Sequence, residues 1–221
     1  MNIKFPDNLE EARKLQKSLA SKAIIKDTFS EIATICALDV SYEDKIGHAA
    51  GVVIDVNTNK VIEKKVYSGE IPIPYIPTFL FLREVPFFLK LLPKLSTSPD
   101  LFLIDGHGIA HPFFAGSATI FGVIVDKPAI GVAKKPLRGF KDIKSEKGDY
   151  SYISIKDKIV GIKFSVKENW KPIYISPGNR CSIDTSFEII RKHLSPKRKI
   201  PLPLHLAHIT AANAKNHKDS F

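Results

Sequence analysis

The stretch IATICALDVSYEDKIGHAAGVVIDVNTNKVIEKKVYSGE, residues 32–70, decides the fold. It reads as three strands, over 32–42, 48–57 and 60–69, rich in Ile and Val and broken by short polar turns. Asn57 and Asn59 suit the tight turn of an antiparallel hairpin between the second and third. Upstream, residues 7–22 carry Leu9, Ala12, Leu15 and Leu19 at helical spacing, with Asp7 as candidate N-cap, so an amphipathic packing helix is expected. Downstream, TFLFLREVPFFLKLLPKL (78–95) reads as a helix with a kink or break at Pro86. LFLID (101–105) and AIGVAK (129–134) read as buried strands flanking a helix over GSATIFGVIVDK (116–127). YSYISI (150–155) and KIVGIKFSV (158–166) form a second hairpin pattern. IDTSFEIIRKHL (183–194) and PLHLAHITAANAK (203–215) close the chain as helices, with Ser182 or Asp184 and Pro203 near their starts. This alternation predicts an α/β fold, a mixed sheet covered by helices, in a single domain over residues 1–221.

Composition narrows the function. Lys and Arg number 33 against 23 Asp and Glu, a formal net charge of +10, which attracts polyanions. Residues 127–171 hold twelve basic and five acidic residues, and no acid stands between Glu188 and Asp219 while seven Lys or Arg do. These segments are the expected phosphate footprint, with an affinity that falls steeply as salt rises. No apolar run approaches the ~20 residues of a spanning helix, and no signal-peptide pattern is present, so a membrane partner is not expected. Two cysteines, Cys36 and Cys181, give neither a disulfide framework nor a Cys-based zinc site, and fit a reducing, cytoplasmic setting.

Asp39 and Asp105 each close an apolar run read as a strand. A charged carboxylate at such a position costs several kcal/mol unless paired. Each can cap its own turn; if the two strands are neighbours, both carboxylates leave one sheet edge and can share a hard cation. Glu84 adds an oxygen donor from a helix that packs on the sheet, or it pairs with Arg83. His208 lies where the last helix can return over that edge, though a helical histidine is often structural. Lys134, at the end of its strand, can offer a fixed charge to a phosphate, or be simply solvated.

ALDVSY (37–42), PYIPTFLFLRE (74–84), LIDGHGIAHPFFAG (103–116), GVAKKPL (131–137), ISPGNRCS (175–182) and LHLAH (204–208) occur in this order. Together they resemble the endonuclease V family, nucleases acting on nucleic acid that contains deaminated adenine. The resemblance implies an RNase H-like fold with a central mixed sheet flanked by helices. It implies Mg2+ as cofactor, with Mn2+ able to substitute, and DNA containing deoxyinosine as substrate, with inosine-containing RNA as an alternative. Family members cut the second phosphodiester bond 3′ to the lesion, leaving 3′-hydroxyl and 5′-phosphate ends in DNA repair. By position, Asp39 and Asp105 resemble the metal ligands, Glu84 and His208 further members of the catalytic cluster, and Lys134 the phosphate-contacting lysine. Tyr75, stiffened by Pro74 and Pro77, resembles a wedge that holds the strand open once a base leaves the stack. Gly106, Gly108, Gly116 and Gly131, with Leu80 and Leu137, are similar to the lining of the base pocket, and His111 to a supporting position; any of the glycines can instead be a turn, Gly131 above all. Phe113 and Phe114 follow His-Pro where relatives often carry arginines, and His205 and Asn179 also depart from the pattern.

Two other readings remain on the residues alone: a different RNase H-like nuclease that cuts junctions or hybrids, and an inert binding module that kept the fold. Clustered carboxylates argue against the second, because a phosphate-binding surface gains nothing from them. A monomer is the expected state.

Overall fold

A computed structural model describes residues 5, 6, 8–146 and 148–216. Helix α1 (Leu9–Ala20) is capped by Asn8, whose side chain accepts from Glu11 N at 2.9 Å. The expected cap Asp7 lies outside the described residues. Ala12, Gln16 and Leu19 form the buried stripe of α1, whereas Leu9 is exposed.

Strands β1 (Thr34–Glu43), β2 (Ile46–Asp55) and β3 (Val61–Glu70) form an antiparallel meander, as the opening stretch requires. Asn59 takes the left-handed conformation that its turn needs, at φ 57°. Helix α2 (Leu80–Leu91) runs through Pro86 without interruption, so the expected break does not occur. The strand β4 (Leu101–Asp105), helix α3 (Ser117–Val125) and strand β5 (Ala129–Ala133) follow. Then come β6 (Lys141–Lys144), β7 (Tyr150–Ile155), β8 (Lys158–Phe164), β9 (Ile173–Asn179), α4 (Ile183–Lys192, N-capped by Ser182) and α5 (Leu202–Asn213).

Among the described residues the nine strands make one mixed sheet, ordered β3-β2-β1-β4-β5-β9-β8-β7-β6. The centre is parallel, β1 to β4 and β4 to β5; every other pairing is antiparallel. Buried on both faces, β1 is a continuous apolar run rather than an alternating one. Cys36, Leu38 and Val40 enter a core with α1, α2 and α3, while Ile35 and Ala37 enter a second core with α4 and α5. Strand β9 carries Pro177 in the sheet interior, tolerated because the β5–β9 register slips there, Ala129 facing Asn179 and Ile130 facing Pro177. No helix among the described residues is long and apolar enough to cross a membrane.

Candidate active site

The parallel ladder between β1 and β4 ends at the pair Leu38 and Ile104. The next residue on each strand is a carboxylate, Asp39 and Asp105. For Asp105 this is a strand end. Asp39 is not at one: β1 continues to Glu43, paired only with β2 beyond this point. The carboxylate reaches a cavity because its neighbour strand stops, not because its own does. Alternation along β1 sends Asp39 to the face shared by Ile35 and Ala37, where α5 packs. There His208 Nδ1 meets Asp39 Oδ2 at 2.7 Å, while Asp39 Oδ1 accepts from Val40 N at 2.9 Å.

Glu84 comes from α2 and is buried, but Arg83 is not its partner. The Arg83 guanidinium stacks on the Tyr42 ring, 4.0 Å from its centroid. Glu84 instead has long contacts from Tyr42 OH at 3.5 Å and Ser117 Oγ at 3.4 Å. Burial pushes its carboxyl well above the usual range, and Asp39 and then Asp105 push in the same direction. Asp39 is also raised, by burial first and Asp105 second, with His208 and Lys134 pulling against them. Lys134 Nζ donates to Asp105 Oδ2. Burial would lower the Lys134 ammonium, yet Asp105 raises it further, so the net shift is upward.

With Asp39 and Glu84 both raised by burial and by their acidic neighbours, the carboxylates here form an oxygen-only donor set that a hard cation would relieve. Among the described residues no group of three or more His, Cys, Asp or Glu could by itself hold an ion. That arrangement suits a cation held by one or two carboxylates, with water and phosphate completing its shell.

These groups open on one cavity of about 520 Å³. Asp39, Glu84, Asp105, Lys134 and His208 line it. So do Tyr75, Leu80, Gly106, His111, Gly116 and Leu137. Tyr75 is 60% exposed, an apolar ring held in water at the rim. Gly108 and Gly131 do not line the cavity; they pack behind its wall. Gly108 N donates to Ser176 Oγ at 2.8 Å, and Gly131 sits mid-strand on β5 rather than in a turn. A Cβ on Gly131 would fall 2.4 Å from Gly108 N and 2.5 Å from Gly106 O, so its hydrogen lets the Asp105–Gly108 turn lie flat on β5.

His107 Nε2 meets Lys135 O at 3.0 Å, and burial lowers its ring to about 4. His111 is lowered to about 3 by burial, with His107 and Arg13 adding to it, while its Nδ1 accepts from Phe113 N at 3.2 Å. Both rings are therefore neutral near pH 7, and both stiffen loops around the cavity.

Several contributors take their role from contacts that the sequence does not show. Gln16, the sole glutamine, crosses from α1 to donate to Ala115 O at 2.6 Å and Thr78 O at 3.2 Å, and it lines the cavity. Arg13 lies between Phe79 and Phe113, 3.9 and 3.7 Å from the ring centroids, which accounts for Phe113 as a stacking partner. Asn179 is structural, accepting from Ile24 N at 3.0 Å and donating to Gly122 O at 3.0 Å. Tyr42 lies in ALDVSY and Ser117 follows LIDGHGIAHPFFAG, but their contact with Glu84 depends on helix packing.

Comparison with known proteins gives a consistent result. The family model described as Endonuclease V matches residues 17–209. An Endonuclease V of Dictyoglomus thermophilum is 41% identical over 209 residues, covering 94% of this chain and 91% of the relative. That of Kosmotoga olearia is 38% identical over 214 residues, covering 95% and 94%. The crystal structure of Endonuclease V from Bacillus subtilis superposes with a TM-score of 0.89 at 30% identity, covering 97% of this chain and 95% of that one. A Ciona intestinalis Endonuclease V, solved with a 24mer DNA containing an inosine followed by a ribo-adenosine, shares the fold at 23% identity and a TM-score of 0.82, covering 97% of this chain and 100% of that one.

Proposed function

The chain belongs to the endonuclease V family, and on that premise we propose that it is an endonuclease directed to inosine in DNA, cutting the second phosphodiester bond 3′ to the lesion in DNA repair. The observation that carries this reading is the meeting of Asp39, Glu84, Asp105, His208 and Lys134 on a cavity whose rim bears the exposed ring of Tyr75. Residues 1–221 act as one nuclease domain, and two free, buried cysteines fit the reducing cytoplasm.

Nucleases of this family are metal-dependent, and Mg2+, with Mn2+ as substitute, suits the oxygen donors of Asp39 and Asp105. Asp39 and Asp105 would hold such a cation, which would supply charge neutralisation at the phosphate and a lowered pKa for an attacking water. His208 fixes the Asp39 carboxylate through the Nδ1 contact, so one carboxylate oxygen is held in place and the other remains on Val40 N. Lys134, within reach of Asp105, presents its ammonium to the same phosphate. Glu84, buried beside Asp39 and Asp105, adds a third carboxylate to the wall of the same cavity.

Lesion reading uses the other half of the cavity. An extruded base costs a few kcal/mol of lost stacking. Tyr75 fills the gap left in the strand, while Leu80 and Leu137 sandwich the flat base and the Gly106 and Gly116 backbone approaches its edge.

Incubation with Mg2+ and a labelled strand bearing a single deoxyinosine tests the reading. Nicking near inosine, absent from the adenine control and abolished by a chelator, is the expected result. Equal nicking of both strands refutes lesion recognition, and no nicking of either refutes the nuclease.

Tyr75→Ala separates recognition from chemistry. A lost base-stacking contact is worth about 1–3 kcal/mol. The expected outcome is therefore roughly tenfold or greater weakening of binding to the inosine strand, with single-turnover cutting at saturating protein much less affected. A variant that binds normally but cannot cut contradicts the wedge assignment.

A further inference from the structure

A second cleft, of about 650 Å³, opens beside the catalytic cavity. The two share Lys134, Lys135, Pro136 and His208, but Tyr75, Leu80 and His111 line only the first. The cleft is therefore the continuation of the cavity past the carboxylates, not an extension of the base pocket. Its floor is Ile173 and Tyr174 of β9, and its walls carry Lys171, Lys197, Arg198 and Lys199. With Lys134 and Lys135 that makes six cationic side chains, and among the described residues no Asp or Glu lines the cleft. Such one-signed walls over an apolar floor focus potential on a bound polyanion.

The outer wall is held in shape without a ligand. Ser195 and Arg198 form an isolated bridge, with Arg198 N donating to Ser195 O at 3.0 Å, and Leu202 N returns to His193 O at 2.9 Å. Arg198 Nε is buried and has no hydrogen-bond partner among the described residues. A buried donor left unpaired is costly, and an acceptor brought to Nε of this cleft-lining residue would relieve it.

We propose that this cleft binds the segment of the polynucleotide strand 3′ of the cut, by its backbone phosphates. The proposal rests on the preceding reading for direction alone. With the extruded base beside Tyr75 and the cut 3′ to it, the strand that leaves the carboxylates passes Lys134 and Lys135 into the cleft. Apolar floor and cationic walls match a single strand, whose bases and phosphates are both available.

Trp170, the only tryptophan, reports on this place directly. It stands next to Lys171, with the Lys167 ammonium 4.7 Å and the Lys199 ammonium 5.9 Å from its ring. Phosphates that draw these lysines away change its surroundings, and hence its fluorescence.

The experiment measures binding of inosine-containing single strands with a chelator present, so that nothing is cut. The wild-type chain is compared with the double variant Lys171→Glu, Lys199→Glu, both exposed side chains. Lengthening the 3′ side from about three to about twelve nucleotides is expected to tighten wild-type Kd by roughly tenfold and to alter Trp170 emission. In the double variant the gain falls to about twofold or less, and the log–log salt slope for the long strand becomes shallower by about 1.4. The same gain in both proteins, or a gain from lengthening only the 5′ side, overturns the proposal. Equal wild-type affinity for inosine and adenine strands refutes the lesion reading instead, and does so whatever the 3′ length dependence proves to be.

Discussion

Asp105→Ala is expected to slow cutting of an inosine strand by roughly 10³-fold or more while leaving its binding intact or slightly tighter. The two effects have separate origins. Asp105 stands one residue past the last β1–β4 pair, beside Asp39, so its loss takes away half of the paired oxygen donors. It also frees Lys134, whose ammonium is held by Asp105 Oδ2. Cutting fails because neither cation nor lysine is then positioned against the phosphate. Binding survives because a negative charge has been removed from a site that receives a polyanion. Asp39→Ala follows the same logic and in addition frees His208. Single-turnover nicking with Mg2+, set beside binding with a chelator, checks both halves. A nicking rate within about tenfold of wild type in either variant contradicts the assigned roles.

Gly131→Ala is the second large effect, and it acts through packing. The added methyl meets backbone on all sides: Gly108 N at 2.4 Å, Gly106 O at 2.5 Å and His107 C at 2.6 Å. Backbone cannot rotate aside as a side chain does, so the turn after Asp105 must lift from β5. Overpacking of this kind costs up to about 3 kcal/mol, which for a chain of this length is a melting temperature lower by roughly 6–12 °C. Cutting should fall as well, because Asp105 and Gly106 move with the turn. Calorimetry alongside the nicking assay measures both. An unshifted melting curve rules out the close packing described here.

Much of this was legible in the sequence, for identifiable reasons. The three-strand opening and the buried runs at 101–105 and 129–133 declare themselves because apolar periodicity is local. Asp39 and Asp105 each stand out because an acid in an apolar run is costly anywhere, but their pairing depends on β1 and β4 being neighbours, which is not local information. Strand β9 was hidden by Ser176-Pro177-Gly178, which reads as a loop; only the register slip against β5 lets Pro177 sit in the sheet. Strand β6, KDIK, is exposed along its whole length and has no apolar pattern to find. The position of Asp39 within β1 depended on where β4 stops, a fact held in another part of the chain. Arg83 was the obvious partner for Glu84 because it is adjacent, but consecutive residues on a helix point apart. Gln16 gave no signal at all, since a single polar residue on a helical stripe acquires meaning only from what packs on it.

The contact between His208 and Asp39 spans 169 residues of sequence. During synthesis the basic segment at 127–171 emerges before α5 (Leu202–Asn213), which follows it in the chain. The centre closes when the late helix docks on the early strand, a long-range event that comes late in folding. A chain in which α5 has not docked is therefore expected to lack the contact that fixes the Asp39 carboxylate, whatever its charge.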